Sequence, residues 1–122
     1  MNQHRFERLV AKALSELPPK FHEMMENVAV IVQRNPTPQQ LAAAGVGPNS
    51  ILLGLYEGVP LTERTSSYGM ILPDEISIFQ QPIERMCAND ADVMREVRRT
   101  VVHEVAHHFG ISDQRLREIG AY

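Results

Sequence analysis

One stretch restricts the fold more than any other: "DADVMREVRRTVVHEVAHHFG", residues 90–110. Met94, Val97, Val101, Val105 and Phe109 recur at helical spacing and fall on one face. His103 and His107 fall on the opposite face. A long helix with one apolar side has to lie on a core, so the rest of the chain must supply something for it to cover. Asn89 or Asp90 can cap its start, expected near Ala91. Gly110 can take positive φ and end it.

The upstream sequence offers the partners. "HRFERLVAKALSELPP" places Phe6, Leu9, Val10, Ala13, Leu14 and Leu17 at helical spacing, and Pro18 and Pro19 end that helix. A short second helix over "KFHEMMEN" follows. "VAVIVQ", residues 28–33, reads as a buried strand, because it is short, apolar and β-branched. "NPTPQQLAAAGVGPNS" is a loop with one helical turn at "PQQLAAAG". "ILLGLYEG" (51–58) is a second strand, and "MILP" and "EISIFQ" give one or two more around residues 70–80. "VPLTERTSSYGM" between them is a polar connection. "QPIERMCA" is one or two turns of helix before the long one. With 122 residues this order predicts one α+β domain spanning 1–122, with a three- to four-stranded sheet packed on helices.

The long helix carries a chemical pattern as well. At about 100° per residue, His107 lies about 40° from His103, and Glu104 lies about 100° away on the flank. Two imidazoles one turn apart can share one metal ion. The carboxylate between them is turned too far to join easily, but it can reach a water on that metal. This is the physical content of H-E-x-x-H, with two zinc ligands and a general base. Chance would give that motif in roughly 2% of shuffled chains of this composition. The longer pattern "HEVAHHFGISD", H-E-x-x-H-x-x-G-x-x-D, would arise in roughly one in ten thousand, so the extended form carries the weight. Gly110 can turn the chain back and bring Asp113 to the metal as third ligand. Three protein ligands leave a fourth position for water, as in a catalytic zinc site. Ser112 or Asp113 can instead cap a short terminal helix over "SDQRLREIG", with Glu118 the reserve ligand. His108 lies about 140° from His103, at the packing face or its edge, and reads as a structural histidine. His4 and His22 have no neighbour at ligand spacing.

"RRTVVHEVAHHFGISDQRLREIG" resembles the small bacterial zincin-like metallopeptidases. "FERLVAKALSELPPKFHEMMENVAVIVQ" and "LLGLYEGVPLTERTSSYGMILPDEISIFQQPIERMC" are similar to the same family. The resemblance implies a zincin-like fold with the motif helix in it, zinc on His103 and His107, Glu104 as the catalytic carboxylate and Asp113 completing the site. The larger metzincins usually have histidine where Asp113 stands. They also carry a methionine turn well after the motif, and here Tyr122 comes nine residues past Asp113 with no methionine between. The floor of the site is therefore expected to be built differently.

These readings combine into an expected zinc metallopeptidase, with Glu104 as general base activating a zinc-bound water. The competing expectation is a zinc-binding module of the same fold with little turnover, acting through a protein partner. A peptide substrate is expected to lie extended along a sheet edge, at "ISIFQ" (76–80) or "ILLGLY" (51–56). A net charge of −3 without a basic stripe argues against nucleic acid. The apolar runs are too short for a bilayer, and the charged N-terminal stretch has no leader-like apolar run, so neither membrane nor export is expected. Cys87 has no second cysteine to pair with, which fits a reducing, cytoplasmic setting.

Overall fold

The computed structural model describes residues 1–58 and 72–121. Helix α1 (Gln3–Ser15) starts early because Asn2 caps it, Oδ1 accepting from the Arg5 N–H at 2.8 Å. It stops at Ser15 because Pro18 disfavours the α conformation just before it. Pro19 then opens α2 (Pro19–Met24) in the first turn, where no N–H is needed. Strand β1 (Val28–Gln33) follows. The single helical turn expected next is a six-residue helix, α3 (Pro38–Ala43), closed by a reciprocal cap. Thr37 Oγ1 accepts from the Gln40 N–H at 3.1 Å, and Gln40 Oε1 accepts from the Thr37 N–H at 2.9 Å. The sequence signal for it is the spacing Thr37-x-x-Gln40, a capping box. Strands β2 (Gly54–Glu57) and β3 (Asp74–Phe79) come next, then α4 (Gln80–Met86), α5 (Asp90–Phe109) and α6 (Asp113–Glu118).

The sheet is mixed and three-stranded, in the order β1-β3-β2. Strand β1 runs parallel to β3, from Val28 opposite Asp74 to Gln33 opposite Phe79. Strand β2 runs antiparallel to β3, from Gly54 opposite Ile78 to Glu57 opposite Glu75. So the domain is α+β, with "EISIF" as the central strand and "GLYE" at an edge. The strand expected over 51–58 shortens for a simple reason. Its last bond on that side is Phe79 N–H to the Leu53 carbonyl, 2.9 Å, and there β3 passes directly into α4. Among the described residues, 51 and 52 have no strand left to pair with. Of the expected "MILP" strand, Leu72 and Pro73 precede β3 without joining it. Met70, Ile71 and the expected connection over 59–70 lie outside the described residues.

One core joins all this. Phe6, Val10 and Ala13 of α1, Phe21 of α2, Ile76 and Ile78 of β3, and Val97, Val101 and Val105 of α5 are buried together. Leu116 and Ile119 close it from the C-terminal end. Phe6 and Phe21 are fully buried, each stabilising the fold by about 1.5–3 kcal/mol relative to exposure. The long helix is thus pinned by its valine face, and its other face is left to solvent.

Candidate metal centre

Helix α5 begins as its sequence requires. Asn89 is the cap, Oδ1 accepting from the Asp92 N–H at 2.9 Å. Val97, Val101 and Val105 are fully buried. On the far side His103 and His107 are exposed and Glu104 is half-buried. The last turn departs from the expected pattern at Phe109. Periodicity puts Phe109 on the packing face, yet it is 50% exposed. The core beneath α5 ends at Val105 and Ala106, so the ring lies outside it, edge-on to His108 and Tyr56 at 4.9 and 6.2 Å. His108 lies at the edge of the packing face, one of the two places expected for it, and is held by structural contacts. It stacks on the Tyr56 ring, centroids 3.9 Å apart and planes 16° from parallel, with Nε2 4.0 Å from Asp74 Oδ2.

Tyr56 makes three contacts, two with this helix and one with β3. Its ring lies under His108. Its hydroxyl donates to Asp74 Oδ2 at 2.6 Å, and Asp74 is buried at the start of β3. Its backbone N–H donates to Glu104 Oε1 at 2.8 Å. That N–H is available because of the register. Leu53 and Phe79 form a hydrogen-bonded pair, and in an antiparallel ladder such pairs alternate with non-bonded ones. Leu55 and Glu57 therefore face β3, while the backbone groups of Gly54 and Tyr56 face the side of β2 on which no strand pairs among the described residues.

The approach of β2 to α5 is close because Gly54 has no side chain. A Cβ there would stand 2.6 Å from Thr100 Cγ2 and 3.0 Å from the Ser77 carbonyl oxygen. Beside this contact lies a cleft of about 340 Å³, lined by Leu53, Gly54, Thr100, His103 and Glu104 among others. A second cleft, of about 390 Å³, opens on the other side of His103, against Leu17, Pro18 and Val102. Arg99, one turn before His103, lines both.

The end of the helix behaves as its glycine predicts. Gly110 has φ 66° and ψ 33°, and the Ile111 N–H reaches back to the Ala106 carbonyl at 2.8 Å. Ser112 caps α6, its Oγ accepting from the Arg115 N–H at 3.1 Å. Asp113 is therefore not the cap. It sits exposed in the first turn, with no hydrogen bond or ion pair to its carboxylate among the described residues. Glu118 is engaged on its own helix, with Gln114 and Arg115 each at 3.3 Å. Of the two carboxylates after the glycine, Asp113 is the uncommitted one.

Two imidazoles and a carboxylate are a donor set that suits zinc. Among the described residues, no three His, Cys, Asp or Glu side chains stand close enough together to hold an ion. His103 and His107 share a face, while Asp113 is not gathered to them. The sequence gives no sign of the parts that Tyr56 and Asp74 play. Alternation within "GLYEG" can give the face of Tyr56, but nothing local announces contacts 18 and 48 residues away.

Among the described residues, no helix is long and apolar enough to cross a membrane. No curated protein matches the sequence. The fold is similar to that of a conserved hypothetical protein from Thermo thermophilus, with a TM-score of 0.55 and 24% identity over 89% of this chain and 94% of that one. Residues 25–121 match the model of the zincin-like metallopeptidases, in the stretch that holds the sheet, the histidine helix and the turn after it. The chain belongs to the zincin-like metallopeptidase family.

Proposed function

We propose that this chain is a zinc-dependent peptidase whose reaction takes place in the cleft between β2 and α5. The observation that carries the reading is the sharing of that cleft: His103 and Glu104 line it beside the free edge of β2. His103 and His107 would hold zinc, with Asp113 as the third donor after a movement of α6 about Gly110. Zinc, when bound, acidifies a water and polarises a carbonyl. Glu104 takes the proton of the attacking water and returns it to the amine that leaves as the C–N bond breaks. The peptide lies extended against β2, because β3 is paired on both sides and offers no edge.

The ungathered third donor favours a second reading, a zinc-binding module with little turnover that acts through a protein partner. Two measurements separate them. Metal analysis of the purified protein is expected to give about one zinc per chain, lost in His103→Ala and weakened in Asp113→Ala. Cleavage of a quenched-fluorescent casein peptide should then vanish in Glu104→Gln while zinc stays bound. Zinc without cleavage in the wild type would support the module, and no zinc after reloading would sink both.

A further inference from the structure

The edge of β2 has two outward-facing positions, Gly54 and Tyr56, and the molecule uses them differently. Gly54 borders the cleft. The N–H of Tyr56 is already taken by Glu104 Oε1 at 2.8 Å. A strand N–H on a free edge normally faces water or an incoming chain. Here it is spent on the carboxylate that the proposed chemistry needs.

Taking the peptidase reading as its basis, we infer that Tyr56 is a positioning residue for Glu104, and that it divides the edge into a stretch that pairs with peptide and a stretch that does not. The backbone N–H fixes Oε1 and leaves Oε2 as the oxygen that handles the proton. A glutamate on a helix flank has three side-chain torsions, and one bond to a strand restricts them without adding a charge. The strand position is itself fixed by the side chain of the same residue. The hydroxyl is bound to buried Asp74 and the ring is stacked under His108. Tyr56 is therefore held from above by α5 and from the side by β3, and its N–H cannot drift from Glu104 while those contacts last.

The division of the edge follows from the same bond. A peptide adding to β2 needs outward N–H and C=O groups in alternation. Gly54 offers both, at the cleft that His103 also lines. At Tyr56 the donor is occupied, so the peptide backbone pairs at Gly54 and leaves the edge before Tyr56. The site then accepts short extended segments and gains little from residues beyond that point.

Amide hydrogen exchange tests the contact without any need for turnover. In wild type the Tyr56 amide should be protected although it lies on the free side of an edge strand. Glu104→Ala should remove that protection while the amides of Leu55 and Glu57, bonded to β3, keep theirs. Rapid exchange at Tyr56 in wild type, or protection unchanged in Glu104→Ala, would overturn the inference whatever the enzyme does. For the catalytic consequence, Tyr56 is replaced by its α-hydroxy acid, which swaps this N–H for an ester oxygen and keeps the side chain. With the casein peptide, kcat should fall about tenfold and KM should stay within about twofold. A rise in KM with kcat unchanged would instead place the N–H on the substrate and refute the positioning role. Should casein cleavage be absent altogether, the peptidase reading fails, while the exchange result still decides whether Tyr56 holds Glu104.

Discussion

The two halves of α5 are held by different means. The first half is fastened by local devices and surface charge: the Asn89 cap, the Asp92–Arg95 pair, and ion pairs from α1 and the turn after it, Arg5 to Asp90 at 2.7 Å and Glu16 to Arg98 at 3.0 Å. The second half carries the histidines, and there the contacts added to the core come from one edge strand, through Glu104, His108 and the Gly54–Thr100 contact. Exposed ion pairs are worth about 0–1 kcal/mol each, so both halves rest mainly on their buried valines, Val93 and Val97 in the first and Val101, Val102 and Val105 in the second. Beyond that shared core, the second half adds a few polar and aromatic contacts around groups that have work to do. With the valines on the inner face and the histidines on the outer one, the exposed side chains of the site can change without loosening the fold.

The sharpest way to break this comparison is to add zinc. A ligand that binds only the folded state at a thousandfold over its Kd stabilises by about 4 kcal/mol. Urea unfolding with and without zinc should show that increment in wild type and lose it in His107→Ala. The zinc-free stability of His107→Ala should match wild type, because the side chain is exposed. A large loss without zinc would mean that the exposed histidine face also carries the fold.

Val97→Ala is the opposite case. The side chain is fully buried in the first half, and deleting it should cost about 2–3 kcal/mol. The zinc increment should remain whole. Gly54→Ala is expected to fall slightly lower, at about 1–3 kcal/mol, since the new methyl meets Thr100 and the Ser77 backbone. Combining it with Thr100→Ser, which removes the opposing Cγ2, should recover part of that loss. Full additivity of the two changes would argue against direct contact between β2 and α5.

The same division explains what is legible in the sequence. Devices acting within four residues are readable: the α5 valine stripe, the Asn89 cap, the turn at Gly110, and the one-turn spacing of His103 and His107. The capping box at Thr37 and Gln40 is readable too, but hidden in a stretch rich in proline and glycine. Contacts that depend on register are not. Which of "ILLGLY" and "EISIFQ" is the edge follows from β1 and β2 flanking β3, and strand order leaves no local mark. Phe109 departs from expectation because periodicity extends an apolar face indefinitely, whereas the real core stops at Ala106. Asp113 competes with Ser112 for the cap, and only hydrogen-bond geometry decides between two adjacent good capping residues.

The smallest effect belongs to Asp92, far from the histidines in the first turn of α5. Its carboxylate accepts from the Ala88 N–H at 3.1 Å and from Arg95 at 2.9 Å. The backbone bond first, and Arg95 second, hold it below the usual carboxylate range. A group whose folded value is depressed contributes stability above its unfolded value, near pH 3.9, and loses it as pH falls through the lower folded value. Asp92→Asn should therefore melt slightly below wild type at about pH 7, and the gap should close by about pH 2. Added salt should shrink the Arg95 share and leave the Ala88 share, since screening acts on the exposed ion pair more than on a direct hydrogen bond. The zinc increment of this variant should equal that of wild type. If it fell, the two ends of α5 would be coupled along the helix, and the separation between its capped start and its histidine end would not hold.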